Sequence, residues 1–101
     1  MEDIIYNQES ESEKNIKWVL KRARDLFKDN KELILSKQLL CPLRQLQSLT
    51  MTVVLPSYIE LINTLVSMSM IFEYNNKPIE REECDRLVKF LFLYRKEKIN
   101  R

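Results

Sequence analysis

The chain has no histidine and no glycine among its 101 residues, and only three prolines, two cysteines and one tryptophan. Without histidine there is no imidazole general base, no histidine metal ligand and no Ser-His-Asp arrangement. Without glycine there is no glycine-rich phosphate loop, and the primed turns that favour tight β-hairpins lose their usual residue. The two thiols, Cys41 and Cys84, are too few for a four-ligand zinc site within one chain. They read as buried reduced thiols, with a Cys41–Cys84 disulfide as the rival reading. No cofactor and no metal is expected, and most familiar enzyme chemistry is excluded. The expectation is a non-enzyme.

What is present is enough to fold. Hydrophobic residues make up 45% and charged residues 32% of a 12.2 kDa chain, a composition that supports one core and is too short for two ordinary domains. Charge is unevenly placed despite a net value of +2. Residues 1–13 hold five acids and no base, the reverse of a secretory leader's cationic start, and read as a flexible acidic leader before a single domain over 14–101. Lys14 to Lys31 hold seven bases against Asp25 and Asp29. From Gln38 to Phe72 only Arg44 and Glu60 are charged, so this stretch must be covered. Its polar interruptions at Ser57, Glu60, Asn63, Thr64, Ser67 and Ser69 argue for a buried helix and against a membrane span, which needs about 20 mainly apolar residues.

Periodicity predicts an all-α bundle of four to five helices. Ile16, Val19, Leu20, Ala23, Leu26 and Phe27 fall on one face of a first helix, with Lys17, Lys21 and Arg24 largely opposite. Ser10 or Ser12 can cap its start, and Asn30 can end it in the left-handed conformation that glycine would otherwise supply. Leu39, Leu40, Leu43, Leu46 and Leu49 form a second stripe. Pro42 lies inside it, which predicts a kink or a late helix start. A short extra turn fits between Thr50 and Leu55. Tyr58, Ile59, Leu61, Ile62, Leu65 and Met68 make a third helix, with Pro56 suited to its first turn. The last helix starts at Pro78, with Glu80, Glu82 and Glu83 early and Arg95, Lys96 and Lys98 late, the order that the helix dipole favours. Its buried stripe is Cys84, Leu87, Val88, Leu91 and Tyr94.

Candidate chemistry is sparse. Glu60 alone in an apolar helix is either a shifted general acid or an exposed member of a polar face with Ser57, Asn63 and Thr64, and the polar face is the stronger reading. The acids at 80, 82, 83 and 85 are explained by their place in the first turns. Lys17, Lys21, Arg24 and Lys28 form a basic face that could lie along nucleic-acid phosphates, a secondary expectation because the acidic leader competes with it and no stacking aromatic is assigned to it. Two connections are unusual. One is Phe27 to Lys31. The other, Ile71 to Asn76, crowds Ile71, Phe72 and Tyr74 into a predicted turn, where they serve either as a lid on the core or as a partner pocket.

The runs Leu46-Gln47-Ser48-Leu49-Thr50-Met51-Thr52, Ile59-Glu60-Leu61-Ile62-Asn63-Thr64-Leu65 and Cys84-Asp85-Arg86-Leu87-Val88-Lys89-Phe90 resemble, in order and spacing, the integrase-binding domain of the lens-epithelium-derived growth factor and hepatoma-derived growth factor-related proteins. Their wider relatives are N-terminal domains of the elongation factor TFIIS type. The resemblance spans Ile16 to Lys98. It implies a right-handed bundle acting as a nuclear scaffold in transcription and chromatin complexes, whose partners are short disordered motifs, acidic with a hydrophobic anchor; a monomer is expected. By the same resemblance, Asp29, followed by Asn30, accepts backbone hydrogen bonds from the partner, and Ile71, Phe72 and Tyr74 supply apolar contact. Lys28 stands where the relatives carry an apolar residue, and the second loop is longer than theirs.

Overall fold

The computed structural model describes residues 11–50 and 56–99, and these form five helices with no strand among them. They are α1 (Glu11–Asp29), α2 (Lys31–Leu35), α3 (Leu43–Thr50), α4 (Tyr58–Tyr74) and α5 (Pro78–Ile99). None is long and apolar enough to cross a membrane.

The apolar spacing of α1 works as read: Ile16, Val19, Leu20, Ala23, Leu26 and Phe27 are all buried. They enter one core with Ile34, Cys41, Leu46 and Leu49, with Leu61, Leu65, Met68, Ile71 and Phe72 of α4, and with Cys84, Leu87 and Leu91 of α5. Both cysteines are free and buried. Burial pushes the Cys41 thiol up to about 11. It pushes the Cys84 thiol up to about 12, helped by the nearby carboxylates of Asp85, Glu83 and Glu80. Val88 packs against the core from the side, while the Tyr94 side chain lies outside the described set.

Several boundaries differ from the sequence reading. Helix α1 already includes Ser12, so Ser12 does not cap it, and the leader's last residues, Glu11 to Glu13, are helical. The Ser10 cap, the rest of the leader and the extra turn after Thr50 fall outside the described residues. Asn30 does not take the left-handed conformation. Its φ is −128°, and it links α1 to the short α2, which the sequence reading did not separate. Pro42 gives the late start: its carbonyl accepts from the Gln45 and Leu46 amides at 2.9 and 3.3 Å, so α3 begins immediately after it. Leu39 precedes that start and is 99% exposed, because the spacing that joined it to Leu46 holds only within a continuous helix.

Pro56 lies ahead of α4 and not in its first turn. The N-cap is Ser57, whose hydroxyl accepts from the Glu60 amide at 3.1 Å while Glu60 accepts from the Ser57 amide at 2.9 Å. This reciprocal capping box gives Glu60 a structural task at an exposed position. Thr64, grouped with it by sequence, is instead buried. Its hydroxyl lies 2.9 Å from the Gln45 carbonyl and 2.8 Å from that of Glu60, and Ser67 donates to Gln45 Oε1 at 2.8 Å. Two of the polar residues that interrupt α4, Thr64 and Ser67, therefore bind it to α3.

Helices α4 and α5 form the most extensive packing pair. The turn between them ends α4 through two backbone bonds, Asn76 N–H to Glu73 C=O at 3.3 Å and Lys77 N–H to Phe72 C=O at 2.9 Å. Asn76 is left-handed, with φ of 57°, in the pattern of a Schellman stop. Asparagine does replace glycine at a helix end here, at Asn76 and not at Asn30.

Candidate functional site at the end of the bundle

Two contacts fix the direction of α1 against α5. Arg22 donates to Glu83 Oε2 from Nε at 3.1 Å and from Nη2 at 2.6 Å. One turn back along α1, the Trp18 ring meets Phe90, further on in α5, with centroids 5.2 Å apart. The helices are thus antiparallel. Asp29 ends α1 about 10 Å of helix beyond Arg22, and α5 begins at Pro78, about 7 Å of helix before Glu83, with the turn directly ahead of it. The end of α1 and the α4–α5 turn consequently lie toward the same end of the bundle.

At that end the five residues singled out by sequence have very different surroundings. Asp29 is exposed, and Tyr74 is 71% exposed. Asn30 is buried, its side-chain amide donating to the Leu26 carbonyl at 3.0 Å; that amide is committed to closing α1. Ile71 and Phe72 have no exposed surface at all. They are not loop residues, because α4 continues to Tyr74. In this conformation Ile71 and Phe72 are core, in keeping with the lid alternative of the sequence reading, and neither lines an open pocket.

The surface concavity at this end is a groove of about 350 Å³ lined by Glu73, Asn76, Lys77, Pro78 and Arg81. Its lining includes two cations, Lys77 and Arg81, and one carboxylate, Glu73. Arg81 reaches only a long contact, 3.4 Å, with Asp85. The groove was not read from the sequence, although the Asn-Asn-Lys-Pro turn that builds it was visible there. Its lining is polar, and the nearby exposed apolar groups are Tyr74 and, on the first turn of α5, Ile79 at 75%.

The basic face is a separate feature. Lys17, Lys21 and Lys28 are exposed and Arg24 is half-buried. Together with Lys14 they follow helical spacing along one side of α1 over about 21 Å. Trp18 lies beside this row and is 51% exposed. Sequence reasoning assigned that face no aromatic and missed it; a tryptophan between Lys17 and Lys21 was the available signal.

Among the described residues no group of three or more His, Cys, Asp or Glu side chains could hold a metal ion. No family model matches the chain, and no curated protein or solved structure matches it either.

Proposed function

We propose that the chain is a non-catalytic interaction domain that captures short linear motifs of disordered partners at the end of the bundle where α1 stops and α4 turns into α5. The observation that carries this reading is the groove of Glu73, Asn76, Lys77, Pro78 and Arg81 beside the exposed ring of Tyr74. An apolar anchor would desolvate against Tyr74 and Pro78, while Lys77 and Arg81 attract the acidic flanks of the motif. Exposed Asp29 would accept a backbone N–H from the bound segment. Ile71 and Phe72 support that surface from beneath. The partner class, a role as scaffold in transcription and chromatin complexes, and a nuclear location all come from the resemblance to integrase-binding domains.

Calorimetric titration with an acidic peptide carrying one Phe tests the reading. Asp29→Ala and Tyr74→Ala should each weaken binding by about tenfold, equivalent to ~1.4 kcal/mol, with unchanged melting behaviour. Equal affinity for both variants and the wild type would remove the site.

A second reading is favoured by Trp18: nucleic-acid contact through Lys17, Lys21, Arg24 and Lys28, with a base stacked on the indole. Such binding would fall steeply between about 50 and 200 mM salt and be lost in Lys21→Glu/Arg24→Glu.

A further inference from the structure

The seam between α1 and α5 joins an open aromatic ring to cations from both helices. Trp18 packs on Phe90 with ring centroids 5.2 Å apart, yet stays 51% exposed. Lys14 and Lys21 stand four residues before it and three after it, so both share its side of α1. Arg86 stands one turn before Phe90 on α5. The antiparallel sense fixed by Arg22 and Glu83 puts Arg86 and Lys21 toward one end of the ring pair, with Lys14 and the exposed Leu93 toward the other. Lys14, Lys21 and Arg86 are exposed, and none has a hydrogen-bonded or ion-paired partner among the described residues. The Glu83 carboxylate is already engaged by Arg22. Exposed Asp25 follows Lys21 on the same side of α1 and ends the cationic stretch there.

A ring with cations on either side of it matches a ligand that alternates flat apolar groups with negative charges. A nucleic-acid strand has that form, since a phosphate precedes and follows each base. An acidic peptide has no such fixed alternation, and a bilayer surface draws on more apolar area than Trp18 and Leu93 expose. Strand type follows from the ring. In a duplex the base faces cover one another, whereas in a single strand they are free to stack on an aromatic side chain. Rings meet base faces and cations meet phosphates, and neither reads the sugar hydroxyl that separates RNA from DNA.

We propose, resting on the nucleic-acid reading of the basic face, that the α1–α5 seam is a stacking site for single-stranded nucleic acid, RNA and DNA alike. One base lies against the open side of Trp18. The phosphates on either side of that base are met by Lys14 at one end and by Lys21 with Arg86 at the other, and Leu93 gives the neighbouring base an apolar rest. Helix α5 thus contributes to binding, and duplex is disfavoured. The seam is separate from the groove at the α4–α5 turn and stands or falls independently of it.

Trp18 is the only tryptophan in the chain, so its fluorescence reports this seam alone. The full chain would be titrated with single-stranded oligo(dT), with oligo(rU) of the same length, and with the dT–dA duplex, over a range of salt. Both single strands should quench Trp18 with similar affinity, and bind about tenfold more tightly than the duplex. Trp18→Ala should weaken strand binding by about tenfold. Arg86→Gln should reduce the slope of log affinity against log salt by about 0.7, the loss of one phosphate contact. Circular dichroism checks that each variant keeps its helicity; should Trp18→Ala fail to fold, the wild-type quenching and Arg86→Gln carry the test. Salt-dependent binding that leaves Trp18 emission unchanged, or that holds duplex as tightly as single strand, overturns the proposal and leaves the nucleic-acid reading of the basic face standing. Absence of any salt-dependent binding removes both. A Trp18 response to only one of the two sugars, or one stronger with phosphatidylserine vesicles than with either strand, also overturns the proposal.

Discussion

Ser69 donates its hydroxyl to Asp85 Oδ1 at 2.8 Å, joining the middle of α4 to the second turn of α5. Ser69 is buried and Asp85 is exposed, so the bond closes the seam of the main helix pair from its outer side. Asp85→Ala removes the acceptor and should cost about 1 kcal/mol, whereas Asp85→Asn, which keeps an oxygen there, should cost less. Urea denaturation of the two variants checks this order.

Phe72 and Tyr74 should separate fold from surface. Phe72→Ala creates a void in the core and should destabilise the chain by about 3–5 kcal/mol. Tyr74→Ala, at an exposed position, should stay within about 0.5 kcal/mol of wild type. The comparison is made by thermal and urea unfolding, and a mild Phe72→Ala phenotype would reopen that residue as a contact surface.

Asn76 holds a positive φ of 57°, which costs any residue with a Cβ about 1 kcal/mol and asparagine less. Asn76→Gly should be neutral or stabilising. Asn76→Ala should lower stability by about 1 kcal/mol, read as a lower melting temperature.

The two thiols give a pH dependence of known sign. Each is ordinarily near 9.0 and is raised in the fold, Cys41 to about 11 and Cys84 to about 12. The folded chain thus holds these protons more tightly than the unfolded chain. Their contribution is fully present below pH 9.0 and is lost as pH rises toward 11 and 12. Stability should decline over that window, and less steeply in Cys84→Ser, which keeps only the Cys41 contribution. At pH 7 both thiols should resist alkylation until the chain is unfolded.

Much of the fold was legible because the helices bury regular stripes. The residues from Ile16 to Phe27 needed only their spacing, and Pro78 with its following acids marked the start of α5. Where the reading failed, a local signal was outweighed by context. Leu39 matched a helical period that Pro42 interrupts. Thr64 looked polar and exposed, yet Gln45 of α3 satisfies its hydroxyl. Asn30 and Asn76 are equally plausible helix ends by residue type, and only the second is left-handed, since the chain re-enters a helix directly after the first. The candidate site suffered from the same effect: the Asn75-Asn76 turn signal was extended backward over Ile71 and Phe72, although the backbone bonds of the turn let α4 run to Tyr74. The groove beside it depends on how two helices meet, which no single segment encodes.

The most direct test of the interaction-domain account is an amide-shift NMR titration of the labelled chain with an acidic peptide bearing one Phe, against the same peptide with Phe replaced by Ala. The account predicts saturable shifts clustered at Asp29 and over residues 73–81, lost with the control peptide. Shifts confined to α1 around Lys17, Lys21 and Arg24, equal for both peptides, would contradict it and leave charge alone as the basis of binding.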